Sequence, residues 1–157
     1  MKKIMFVCTG NICRSAMAHG YMQYKVNSGC DKDNFLISSC GTDAITGDKS
    51  TKNAILAMED YNVNLNNHRA TNVIDIDIQN YDIILCMTTN HKKNIIYLYP
   101  KLKEKVHTLK EYVDSNVEYK DIDDPWGFDI NVYKNCAKEI VENVDKLIEK
   151  LSRWLIW

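Results

Sequence analysis

No apolar run in this sequence approaches the roughly 18 residues that a membrane-spanning helix requires. The N-terminal apolar stretch, Ile4 to Val7, is far too short for a signal peptide and runs straight into Cys-Thr-Gly-Asn. A soluble, cytoplasmic protein without membrane attachment is expected. A basic excess is missing as well: 20 Lys and Arg face 21 Asp and Glu, which argues against a nucleic-acid binder. The six cysteines form no Cys-x-x-Cys pair, so neither a zinc nor a thioredoxin-like site is indicated. With no export signal, their thiols are expected to be reduced. Repeats, linkers and low-complexity tracts are lacking too, and the 157 residues are read as one domain. Apolar residues make up 45% of the chain, enough to bury a core and to exclude a disordered chain.

Lys2 to Val7 reads as a strand buried on both faces and Arg14 to Asn27 as a helix. Phe35 to Ser39 is a second strand. Ser50 to Tyr61 is a second helix, with Ala54, Ile55, Ala57 and Met58 on its apolar face. The continuous Ile/Leu run from Tyr81 to Met87 is a third, buried strand. A helix from His91 to Tyr99 is stopped by Pro100, and Lys105 to Thr108 supplies a short last strand. Tyr112 to Phe128 has little periodicity, contains Pro125 and Gly127, and is expected to be a long loop. Asp129 can cap a final helix whose Tyr133, Ala137, Ile140, Val144, Leu147 and Leu151 share one face. Strands alternating with helices predict an open, doubly wound α/β fold, a four-stranded parallel sheet with helices on both faces. The tail Trp154-Leu155-Ile156-Trp157 is expected to pack on the body; exposed, it would be a contact patch for a partner or a second copy.

Ligands of such folds bind at the carboxyl ends of the strands, and the first such end here is Cys8. The segment Cys8-Thr9-Gly10-Asn11-Ile12-Cys13-Arg14-Ser15 leads from the first strand into the first helix. A loop entering a helix N-terminus presents unpaired N–H groups that can surround an anion. Gly10 and Asn11 are residue types that tolerate the left-handed conformations of such a nest. Arg14 can offer two parallel hydrogen bonds to a phosphate-like group. A thiolate at Cys8 would be stabilised by the same donors, by the helix dipole and by the guanidinium, with Ser15 donating to the sulfur. An NTP-binding loop is excluded, because its Gly-x-x-x-x-Gly-Lys-Ser/Thr pattern needs a second Gly and a Lys that this turn lacks. Cys-x5-Arg alone recurs by chance; the Gly-Asn turn and the strand-to-helix context single this one out. Expulsion of an alkoxide or phenolate from phosphate also calls for an acid. Asp121, Asp123, Asp124 and Asp129 are equal candidates on residue type alone.

This octet closely resembles the signature loop of the low-molecular-weight protein tyrosine phosphatases. Ser39-Cys40-Gly41-Thr42 resembles the family's Ser-Ala-Gly-Thr. Asn67-His68-Arg69 and Tyr81 to Met87 resemble its middle segment, and Asp124-Pro125-Trp126-Gly127 its Asp-Pro loop. The resemblance covers nearly the whole chain and implies a phosphotyrosine phosphatase I-like fold without cofactor or metal. It implies Cys8 as nucleophile, Arg14 as oxyanion clamp and Asp124 as the acid. Thr9, Gly10, Asn11, Ile12, Cys13, Arg14 and Ser15 would bind phosphate, with Asn11 held through a network to Ser39 and His68. Ile12 and Trp126 would line the rim, where an apolar side chain and an indole suit a flat aromatic leaving group. A Cys8–Cys13 disulfide would shield the nucleophile from over-oxidation. Phosphotyrosine proteins or small aryl phosphates are the implied partners of a monomer or weak homodimer.

The chain departs from the family at several places: Ala16 stands for a common Pro, and His19 for an acidic residue. Thr88 stands for an Asp, a change expected to weaken the network around His68. Trp126-Gly127-Phe128 lacks a second adjacent aromatic at the rim. A phosphoarginine phosphatase of the same fold is the nearest rival reading, although those relatives carry a small polar residue where this chain has Ile12. A thiol-dependent arsenate reductase would need two further relay cysteines after the third strand, where only Cys86 is found. A non-catalytic phosphate-binding module would leave Asp124 without a task.

Overall fold

In the computed structural model, which describes residues 1–29 and 33–155, the core is built on the strand Lys2–Cys8 (β1). Its side chains alternate between two apolar layers. Ile4, Phe6 and Cys8 point into one, and Met5 and Val7 into the other, as a strand covered on both faces must. Phe35–Gly41 (β2) and Ile83–Cys86 (β3) flank it in parallel, with Ile4 opposite Ile37 and Phe6 opposite Leu85. Val106–Thr108 (β4) completes the sheet beside β3, in the order β2-β1-β3-β4. The open, doubly wound four-stranded parallel sheet expected from the sequence is present.

Arg14–Ser28 (α1), Lys52–Glu59 (α2), the short Leu109–Val113 (α4) and Ile130–Leu155 (α5) cover the first layer. Thr89–Leu98 (α3) covers the second through Ile95, together with Val73, Ile78 and Leu102 from short turns. Asp129 caps α5 by accepting from the Val132 N–H at 3.1 Å, and all six residues of its expected apolar face are buried. Such burial contributes about 1.5–3 kcal/mol for each large side chain. Pro100 ends α3 and opens a 3₁₀ turn, Pro100–Lys105. The long loop expected from Tyr112 begins two residues later than that, because Tyr112 and Val113 belong to α4. That helix is started by a capping box in which Thr108 and Glu111 satisfy each other's N–H groups. Among the described residues no helix is long and apolar enough to cross a membrane. Cys30 and the side chains of the Trp154 to Trp157 tail lie outside what is described.

Strand order reverses direction of winding around β1, with β2 on one side and β3 on the other. A crevice opens at their carboxyl ends, and the turn after Cys8 occupies it.

Candidate active site

The turn from β1 into α1 is held by its one left-handed residue, Asn11, at φ 53°. An Asn tolerates that conformation, and here four bonds fix it. Its backbone N–H donates to Cys8 Sγ at 3.3 Å and its Nδ2 to Ser15 Oγ at 2.8 Å. His68 Nε2 donates to its carbonyl at 2.7 Å, and the Thr71 N–H to its Oδ1 at 2.9 Å. Gly10, expected to share the left-handed region, does not adopt it. Its lack of a side chain instead admits Ile12, whose Cγ1 would lie 3.3 Å from an added Cβ. Gly41, at the end of β2, is the stricter requirement: a Cβ there would meet the Thr9 carbonyl oxygen at 2.4 Å. That close approach lets the Thr42 and Asp43 N–H groups donate to the carbonyls of Cys8 and Thr9, bracing the loop from beneath.

Cys8 Sγ lies 2.9 Å from Ser15 Oγ at the floor of a cavity of about 230 Å³. The cavity is lined by Thr9, Gly10, Ile12, Cys13, Arg14, Asp124 and Trp126 besides Cys8 itself. α1 begins here with no side-chain cap, which leaves its first N–H groups without a side-chain acceptor. Arg14 is buried, and its Nη1 donates to the Ile122 carbonyl at 2.9 Å. Its Nη2 lies 3.5 Å from Asp124 Oδ2, while Nε has no hydrogen-bond partner among the described residues. Both terminal nitrogens of the guanidinium are thus engaged, and Nε is the donor left without a partner among those residues.

The four acidic candidates separate by their contacts. Asp121 accepts from the Thr89 N–H at the start of α3, Asp123 accepts from the Tyr119 hydroxyl, and Asp129 caps α5. Asp124 alone of the four lines the cavity above Cys8, with Oδ1 accepting from the Trp126 N–H at 3.1 Å. Trp126, 65% exposed, forms the outer rim opposite Ile12.

The supporting residues need one correction. His68 holds Asn11 as expected, but the Ser39 hydroxyl lies 3.0 Å from His19 Nδ1 and is not bonded to Asn11. His19, whose ring stands edge-on to His68 at 6.3 Å, takes up Ser39 instead. Desolvation, together with the neighbouring His68, pushes the His19 imidazole down to about 4. Thr88, in turn, does not serve His68: its hydroxyl pairs with His91 at the head of α3. Cys13 Sγ lies 3.2 Å from the Tyr133 hydroxyl and 3.5 Å from Thr51 Oγ1, and burial pushes its thiol up. Among the neighbours of the loop that sequence reasoning missed is His91, 2.8 Å from Thr9 Oγ1. Among the described residues no three His, Cys, Asp or Glu side chains converge in a metal-holding group.

A doubly wound sheet whose first strand ends in a thiol beneath an anion-facing nest has the form of a cysteine-dependent phosphatase. Residues 3–155 match the family described as low molecular weight phosphotyrosine protein phosphatase, and the chain belongs to that family. It is 33% identical over 150 residues to the protein-arginine-phosphatase of Bacillus subtilis (strain 168), covering 96% of this chain and 97% of that one. Over 146 residues it is 35% identical to the low molecular weight protein-tyrosine-phosphatase PtpB of Staphylococcus epidermidis, covering 92% and 96% of the two chains. Among solved structures, the YwlE arginine phosphatase from Geobacillus stearothermophilus superposes with a TM-score of 0.90 at 31% identity, over 99% of this chain and 96% of that chain.

Proposed function

We propose that this chain hydrolyses phosphotyrosine in proteins, and small aryl phosphates, through a phosphocysteine intermediate. The observation that carries the reading is the convergence on one cavity of Cys8, Arg14, Asp124, and the apolar rim of Ile12 and Trp126. Cys8 Sγ attacks phosphorus in line while Asp124 protonates the leaving phenolate. Asp124 then takes a proton from the water that attacks the phosphocysteine, and inorganic phosphate departs with the thiolate restored. Arg14 and the N–H groups at the head of α1 hold the equatorial oxygens through both steps, which is chiefly electrostatic stabilisation. Ser15 is placed to donate to the sulfur whenever it is a leaving group or a thiolate.

The second reading, phosphoarginine hydrolysis, is favoured by the names of relatives at similar identity. Against it stands Ile12, whose branched apolar side chain fits the face of a phenyl ring better than a charged guanidinium. Phosphate release from matched phosphotyrosine and phosphoarginine peptides, in reductant and EDTA, tests the choice. The expected result is faster release from phosphotyrosine, lost in Cys8→Ser, with the preference narrowed at least about tenfold in Ile12→Thr. Faster release from phosphoarginine by the unsubstituted chain would overturn the tyrosine assignment. No release from either would remove the phosphatase reading.

A further inference from the structure

His91 joins α3 to the phosphate loop through both of its ring nitrogens. Nε2 lies 2.8 Å from Thr9 Oγ1, and Nδ1 lies 3.0 Å from Thr88 Oγ1. Thr88 Oγ1 also accepts from the His91 backbone N–H at 3.2 Å, so the same hydroxyl caps the helix and holds the ring. The imidazole is 5% exposed, whereas Thr9 is exposed and borders two cavities. One is the space above Cys8; the other, about 370 Å³, is shared with Arg14, His91, Asn90 and Asp124.

We propose that His91 is a positioning residue of the phosphate loop, fixing Thr9 and with it the leading edge of the nest above Cys8. The donors available set the direction of the relay. Thr88 Oγ1 already accepts the backbone N–H, and its own proton is free to go to Nδ1. That keeps the ring proton on Nε2, where it donates to Thr9 Oγ1. Burial, with the Arg14 guanidinium adding to it, pushes the imidazole down to about 4 against the opposing carboxylates of Asp124, Asp121 and Asp43. The ring is therefore a neutral donor at physiological pH and brings no extra charge to the nest. Asn11 pins the middle of the loop to the segment 68–71, and Gly41 admits it from beneath. The Thr9–His91 bond secures the remaining side, against α3.

The inference rests on the loop being a phosphate site and not on which phospho-residue is turned over. Its test is therefore the affinity for inorganic phosphate, read by calorimetry alongside kcat/KM on an aryl phosphate. His91→Leu and Thr9→Val are each expected to lower both quantities about tenfold, and the double variant no further than either alone. His91→Gln, whose amide N–H can reach the place of Nε2, is expected to restore both to within about threefold. Thr9→Val reads the same bond from the loop side and keeps the test open should His91→Leu fail to fold. Additive losses in the double variant would overturn the proposal, as would a lowered Tm with phosphate affinity unmoved. No phosphate binding by the unsubstituted chain would overturn the loop reading and this inference with it.

Discussion

The loop of residues 9–13 and the loop of residues 114–129 meet at one cavity but are held by different means. In the first, Asn11 alone makes four hydrogen bonds, two to the ends of its own loop and two to the segment 68–71. In the second, the backbone anchor nearest the cavity is Ile122, whose N–H donates to the Met87 carbonyl and whose carbonyl accepts from Arg14, with Asp121 and Asp123 held on either side of it. Asp124 lies just beyond that anchor, about half exposed, with Arg14 and the Trp126 N–H as its contacts. In the proposed mechanism the groups that hold the oxyanion are thus buried and braced, whereas the acid stands half in solvent. Preorganised donors cost no reorganisation during reaction.

Three substitutions or conditions set the two regions apart. Asp124→Asn should lower kcat about 10²–10³-fold on a phosphotyrosine peptide, and much less on an aryl phosphate with an acidic phenol, because only poor leaving groups need the proton. Urea unfolding of the same variant should move by less than about 0.5 kcal/mol, since the side chain is half in solvent. A large loss of stability in Asp124→Asn would break the contrast between the loops. Gly41→Ala makes the opposite demand: its Cβ would be driven against a backbone oxygen, costing about 2–3 kcal/mol and distorting the nest. Stability and activity should therefore fall together, and wild-type activity in that variant would contradict the account of the bracing.

The smallest effect concerns acid. Native His19 refuses a proton until pH falls to about 4, whereas the unfolded chain takes one near 6.5. The unfolded state then binds more protons, so the contribution of neutral His19 is full above pH 6.5 and is lost as pH falls toward 4. Between pH 6.5 and 5.5 the loss is about 1 kcal/mol from this residue. Urea melts of the unsubstituted chain and of His19→Gln should diverge over that interval. Parallel curves would remove the desolvated pair from the support of the loop.

The first loop was far more legible than its surroundings. Its octet is contiguous, and the apolar run of β1 and the 3.6-residue period of α5 can be read directly. Asp124 is one of four equal carboxylates by residue type, and only the resemblance to the family picks it out, because contacts separate them. α4 was hidden for another reason: five residues give no period, although Thr108-x-x-Glu111 is a readable capping box. His91 could not be read at all. A single histidine in the first turn of a helix carries no sign of a partner 82 residues earlier. The partner of Ser39 is likewise not legible, because the His19 ring that takes it up lies 20 residues away on α1.

In the proposed mechanism phosphate passes through Cys8. The direct measurement is acid quench of Asp124→Asn during turnover of an aryl phosphate, followed by peptide mass spectrometry with fragmentation. The account predicts a phosphate adduct on Cys8, enriched over the unsubstituted chain because Asp124 no longer activates the water. Turnover with no adduct on Cys8, or with the adduct on Cys13, would contradict it.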